Sequence, residues 1–192
     1  VTGDLAHWGE VAAYAALKEI FDELAAPTIL LMGNHDRRRA LRQIFPDADD
    51  DGSGYVQAVR HFDAASVLTL DTVDEESRTH AGFLCAHRLA FLDRALAEAP
   101  ADRPVLLFQH HPPFDTGLPH LDRIRLRNPE NLWAVFEKRR RPDYIFMGHV
   151  HRPIAGSWRG IPFHIQRATS HQVAFDLAST EIPGSLELPD YS

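Results

Sequence analysis

The chain has 192 residues, 44% hydrophobic and 24% charged, an ordinary globular usage that excludes collagen, extended disorder and a coiled coil and needs no disulfide staple. Twenty Lys and Arg against 27 Asp and Glu leave a net charge of −7, the wrong sign for wrapping long nucleic acid or lying on anionic lipid. The single Cys85 excludes an internal disulfide and a thiolate cluster, so a reducing, cytoplasmic setting is expected and imidazole and carboxylate are the ligands left for a transition metal.

Over residues 10–26, Tyr14, Leu17, Ile20, Phe21 and Leu24 recur at the spacing of a helix with one buried face, and Pro27 ends it. Residues 28–32 form a short apolar run suited to a central strand, ending in Gly33-Asn34-His35-Asp36. A helix over 37–45 follows, with Arg37, Arg38 and Arg39 on a solvated side. The Asp-rich stretch 46–54 reads as an exposed loop, because its ligand and Gly spacing does not fit an EF-hand.

Strands are expected over 55–59 and 67–71, then a helix over 88–99 and a strand over 105–109 that ends in His110-His111-Pro112-Pro113. A helix over 129–141 precedes a strand over 144–147, which runs into Gly148-His149-Val150-His151. Residues 154–158 and 163–167 read as a hairpin turning near Gly160, and 172–177 as a last strand. Early alternation of helix and strand followed by consecutive strands gives one α/β domain with a mixed sheet over 1–177 and an irregular C-terminal tail over 178–192. No run of about 18 apolar residues is present to span a membrane.

Gly33-Asn34-His35-Asp36, His110-His111 and Gly148-His149-Val150-His151 each follow an apolar run, and Gly3-Asp4, behind Val1-Thr2, is read as a fourth such strand end. Ligands gather at the carboxyl ends of strands in open α/β sheets, so these four ends are expected to converge. Carboxylate, imidazole and amide oxygen together suit Mn, Fe, Zn or Co better than Ca. His149 and His151, two apart in an extended segment, would point to one side.

These motifs, in this order, resemble those of the calcineurin-like metallophosphoesterase superfamily over about residues 1–177. Within it the sequence is similar to bacterial class III cyclic nucleotide phosphodiesterases and glycerophosphodiesterases. The resemblance implies a four-layer α/β/β/α sandwich with mixed sheets and a site for two divalent or trivalent metal ions. Asp4 would bridge the two metals, Asn34, His110 and His149 would complete the second, and His151 would bind the first. The His-x-Pro pattern selects His110 over His111 as the ligand. His35 would contact the phosphate and protonate the leaving oxygen, with Asp36 orienting its ring. Asn34, His35, His111 and His171 are the expected substrate contacts.

The family's first motif, Asp-x-His after the first strand, belongs upstream of Asp4, so that strand and motif are expected to lie outside these 192 residues. The family usually carries Asp where His7 stands. The implied activity is metal-dependent hydrolysis of a small phosphodiester, a 3',5'-cyclic nucleotide or a glycerophosphodiester, by a metal-bridging hydroxide. The alternatives are a phosphomonoesterase or nuclease on the same scaffold, or a non-catalytic binding scaffold if the upstream motif is absent. Oligomer contacts near the tail are compatible with the resemblance.

Overall fold

A computed structural model describes residues 1–77 and 79–188. Its centre is a six-stranded sheet made of β1 (Ala58–His61), β2 (Ser66–Leu70), β3 (Val105–Gln109), β4 (Tyr144–Met147), β5 (Ile154–Trp158) and β6 (Ile161–Ile165). The spatial order is β1-β2-β3-β4-β6-β5, with β2, β3, β4 and β6 parallel and the two edge strands antiparallel. Leu68, Leu70, Leu107, Ile145, Met147 and Ile165 are buried in the larger core together with helices α3 (Ala86–Glu98) and α5 (Pro129–Lys138). The two helices turn Leu92, Ala95, Leu96 and Leu132, Trp133, Phe136 inward, which is the i, i+3, i+4 spacing of a one-sided helix. A second core gathers Tyr14, Leu30, Met32, Leu41 and Val56 beneath α1 (Val11–Asp22) and α2 (Arg38–Ile44). No helix among the described residues is long and apolar enough to cross a membrane.

Residues 28–32 differ from the sequence reading. Leu30, Leu31 and Met32 are buried as a central strand would be, but the segment forms no ladder among the described residues, although Val1 N donates to Ile29 O at 3.0 Å. Burial follows from apolar side chains, whereas a ladder requires a neighbour presenting its own N–H and C=O groups in register. The six-stranded sheet is the mixed sheet expected of the α/β fold, and among the described residues the segment over 28–32 packs into the second core as extended chain without joining that sheet.

The hairpin closes earlier than expected. Arg159 and Gly160 take φ of +50° and +85°, and Trp158 pairs with Ile161, so a two-residue turn starts β6 at once. The last strand shrinks to β7 (Gln172–Val173), which pairs with β8 (Gly184–Ser185) from within the tail expected to be irregular. Residues 189–192 of that tail lie outside the described residues. A one-turn helix, α4 (Pro119–Asp122), adds to the elements read from sequence.

The arginine run is not simply solvated. The Arg38 guanidinium donates to both oxygens of buried Asp71, at 2.8 and 2.7 Å, and to Glu75 Oε2 at 2.7 Å, tying the start of α2 to the end of β2. Arg88 donates to the Asp71 and Val73 carbonyls, and the Tyr55 ring lies 5.1 and 4.6 Å from the Arg38 and Arg88 guanidinium carbons. The Tyr55 hydroxyl is 3.4 Å from Cys85 Sγ at the N-terminus of α3.

Burial pushes the Cys85 thiol up, but Tyr55 and Arg88 outweigh it and bring it down to about 7. Because the thiolate is the nucleophile, alkylation of Cys85 by iodoacetamide is expected to rise with pH around a midpoint near 7. Tyr55→Phe should move that midpoint upward; a midpoint unchanged in the variant would contradict the role of the hydroxyl.

Candidate active site

The carboxyl ends of the parallel strands share one edge, from which Asp71-Thr72, His110-His111 and Gly148-His149 emerge. The loops carrying Asp4 and Asn34 reach the same edge from the opposite layer. They meet closely: a Cβ on Gly33 would overlap the Asp4 carboxylate and backbone nitrogen. At Gly3, φ is +96° and a Cβ would stand 2.7 Å from His110 Nδ1, so both positions need glycine for the approach itself.

Four donor atoms converge. Asn34 Oδ1 lies 3.1 Å from His110 Nε2 and 2.8 Å from His149 Nδ1, and His110 Nε2 lies 3.2 Å from Asp4 Oδ2. Ligands that share one ion at about 2.0–2.2 Å sit roughly 3 Å apart, so Asp4, Asn34, His110 and His149 suit a common metal. His151 Nδ1 is buried without a hydrogen-bond partner, a costly state for a polar atom unless something binds it; His149 Nε2, on the far side of its ring from the cluster, also has none.

Backbone conformation singles out the same residues. Four non-glycine residues among those described have positive φ, and three are Asp4 at +55°, His149 at +71° and His151 at +55°. Each costs about 1 kcal/mol or more relative to ordinary backbone, and such strain collects at functional sites. It also corrects the sequence reading of His149 and His151 as alternating along an extended segment: both sit in left-handed turns after β4 has ended.

Burial pushes the imidazoles of His149 and His151 down, the first well below its ordinary value and the second to about 4. Both are therefore neutral at pH 7, the form a metal ligand requires. His110 is also desolvated, but the Asp4 carboxylate outweighs burial and raises it. Asp4 in turn is driven upward by burial and, more strongly, downward by His110 and the His35 N–H, so it stays ionised.

Surrounding groups set ring and amide orientation. His110 Nδ1 donates to Thr2 O at 2.7 Å, leaving Nε2 for the cluster. The Asn34 amide nitrogen lies 2.9 Å from His80 Nδ1, which turns Asn34 Oδ1 toward His110 and His149. Losing such an outer partner typically costs about 10- to 100-fold in metal affinity. Sequence reasoning missed Thr2 and His80 as partners, and no spacing marked them, because each comes from a loop remote in the chain.

Two expected roles are corrected. Asp36 does not orient His35: its fully buried carboxylate accepts from Leu5 N at 3.0 Å, Ala6 N at 3.1 Å, Gly33 N at 2.8 Å and the Tyr14 hydroxyl at 2.9 Å. The His35 ring is held instead by its Nδ1–H donating to His7 O at 2.8 Å. His111 is not a substrate contact, since it has no exposed surface and both its nitrogens are engaged. Its Nε2 donates to His80 O at 3.0 Å and its Nδ1 accepts from the Thr72 hydroxyl at 2.7 Å. His111 lies within metal-ligand reach of His110 and His149, but burial keeps it neutral and its one lone pair is occupied.

His171 is exposed and packs edge-on against His151, with centroids 4.6 Å apart. With Asp4, His35, His149 and His151 it lines a cleft of about 1030 Å³.

A cluster of one carboxylate, one amide and several imidazoles at the strand ends of an α/β fold offers the donor set of a metal site. The chain belongs to the calcineurin-like phosphoesterase family, which matches residues 1–153. It is 63% identical over its whole length to a probable cyclic nucleotide phosphodiesterase of Rhodopseudomonas palustris, spanning 70% of that protein. It is 29% identical, over 91% of its length, to a glycerophosphodiester phosphodiesterase of Enterobacter lignolyticus, spanning 63% of it. Its fold is similar to that of a dimetal phosphatase from Danio rerio, with a TM-score of 0.65 at 16% identity over 81% of this chain and 65% of the other.

Proposed function

We propose that the protein hydrolyses a small phosphodiester at metal ions held by Asp4, Asn34, His110, His149 and His151. The observation that carries this is the approach of Asn34 Oδ1, His110 Nε2, His149 Nδ1 and Asp4 Oδ2 to within 2.8–3.2 Å of their neighbours. When bound, Mn, Fe, Zn or Co supplies Lewis acidity toward the phosphate oxygens and the attacking water. In this reading two ions would be held, one by Asn34, His110 and His149 and the other by His151, with Asp4 serving both.

The chain's own groups do the positioning. His7 O accepts the Nδ1 proton of His35, so Nε2 faces the phosphate, and only the doubly protonated ring, with a second proton on Nε2, would pass that proton to the leaving oxygen and return to the neutral form. Asp36 anchors the backbone that carries Asp4, while His111 and His80 lock the amide and imidazole geometry behind the ligands. His171 borders the cleft on the substrate side. The single thiol fits a reducing cytoplasm, and an oligomer with contacts along the tail belongs to the same reading.

The full-length protein stripped with chelator is expected to lose hydrolysis of bis(p-nitrophenyl) phosphate and of 3',5'-cyclic AMP, and to regain both with Mn, Fe or Co. Occupied sites without turnover would overturn the assignment. Faster turnover of p-nitrophenyl phosphate than of the diester would redirect it to a monoesterase.

A further inference from the structure

We infer that Trp8, backed by the paired rings of His7 and His35, is the stacking platform for the base of a nucleotide substrate. This rests on the phosphodiesterase reading and specifies its substrate class as a 3',5'-cyclic nucleotide rather than a glycerophosphodiester. Trp8 is 67% exposed, whereas Trp133 and Trp158 are each 9% exposed. Single exposed apolar residues are common; what distinguishes Trp8 is where it stands and how firmly it is held.

Its ring lies 4.4 Å from His7 and 6.3 Å from His35, edge-on to both, while His7 and His35 stack on each other at 5.1 Å with planes 14° apart. His35 is the residue assigned to the phosphate, so the aromatic row begins at the reacting group and runs outward. Beside it is a hollow of about 260 Å³ lined by His7, Trp8, Asn34, His35, Arg37 and His80.

The loop is also pinned. Trp8 N donates to Glu10 Oε2 at 3.0 Å. Gly9 has φ +70°, and a Cβ there would run into the Arg37 side chain, so residues 7–9 lie directly on the loop that carries His35. With its backbone fixed in this way, the indole has only its own two side-chain torsions to order on binding. Bases gain from a flat π-face whatever their identity. A glycerol or ethanolamine group has no such face and gains nothing from the row.

The test compares Trp8→Ala and Trp8→Phe with the wild-type full-length protein. The expected result is a fall of about 5- to 150-fold in the ratio of kcat/KM for cyclic AMP to that for glycerophosphoethanolamine in W8A, with W8F retaining most of the ratio. Independently of turnover, AMP should quench tryptophan emission saturably in the wild type and not in W8F, since the two remaining tryptophans are buried. Glycerophosphoethanolamine should not quench. A W8A ratio within twofold of wild type, or equal quenching in W8F, would overturn the platform. Loss of all diester hydrolysis in the wild type while AMP still quenches would strike the phosphodiesterase reading and leave the base site standing.

Discussion

Asp36→Ala is expected to lower the stability of the protein by about 3–5 kcal/mol. The carboxylate is fully buried and accepts from three backbone N–H groups and one hydroxyl. Truncation leaves those donors without acceptors in a site closed to water, at about 1 kcal/mol or more for each. Burial pushes Asp36 upward against these donors, so its placement depends on all of them being present. Asp36→Asn keeps one oxygen and should lose less. Urea unfolding at constant m would measure both, and a loss below about 1 kcal/mol for the alanine variant would remove Asp36 from the framework. Leu5 and Ala6 follow Asp4 directly, so metal affinity should fall together with stability.

The second large effect separates binding from folding. His149→Asn is expected to reduce metal affinity and diester hydrolysis by more than the roughly 10- to 100-fold typical of outer partners, because His149 is assigned as a direct ligand. Metal-free stability should hold or rise. Asn tolerates left-handed backbone better than His at φ +71°, and the substitution removes a buried nitrogen without a partner. Metal analysis together with the thermal upshift on metal addition tests both halves, since a ligand at 100 times its Kd adds about 2.7 kcal/mol. A variant that binds metal normally would exclude His149 from the ligand set. A variant that binds poorly and is also unstable without metal would show His149 to be structural.

The two residues illustrate different degrees of legibility. The place of His149 at the site was readable because its motif follows an apolar strand, and the edge to which a parallel strand delivers its loop depends on the strand alone. Asp36 was readable as important but not in its role, because its partners Leu5, Ala6 and Tyr14 lie 31, 30 and 22 residues away. Likewise, His110 and His111 are adjacent and chemically identical in sequence. One donates to Thr2 O and turns its other nitrogen to the cluster; the other is closed off by Thr72 and His80. Trp8 had no pattern at all, since its significance is its position beside His35.

The sequence by itself determined the order and type of most elements and the strand ends at which Asp, Asn and His collect, while the candidate ligands Asp4, Asn34, His110, His149 and His151 are what its family resemblance implies. The elements follow from local periodicity, which needs only near neighbours in the chain. Only the tertiary structure decided that Leu30, Leu31 and Met32 are buried without a ladder among the described residues, that His149 and His151 take left-handed backbone conformations, and that Asp36 and His111 support the site instead of reacting in it. Each of those outcomes depends on a hydrogen-bond or steric partner supplied from a distant part of the chain, and such partners are set by how the layers pack.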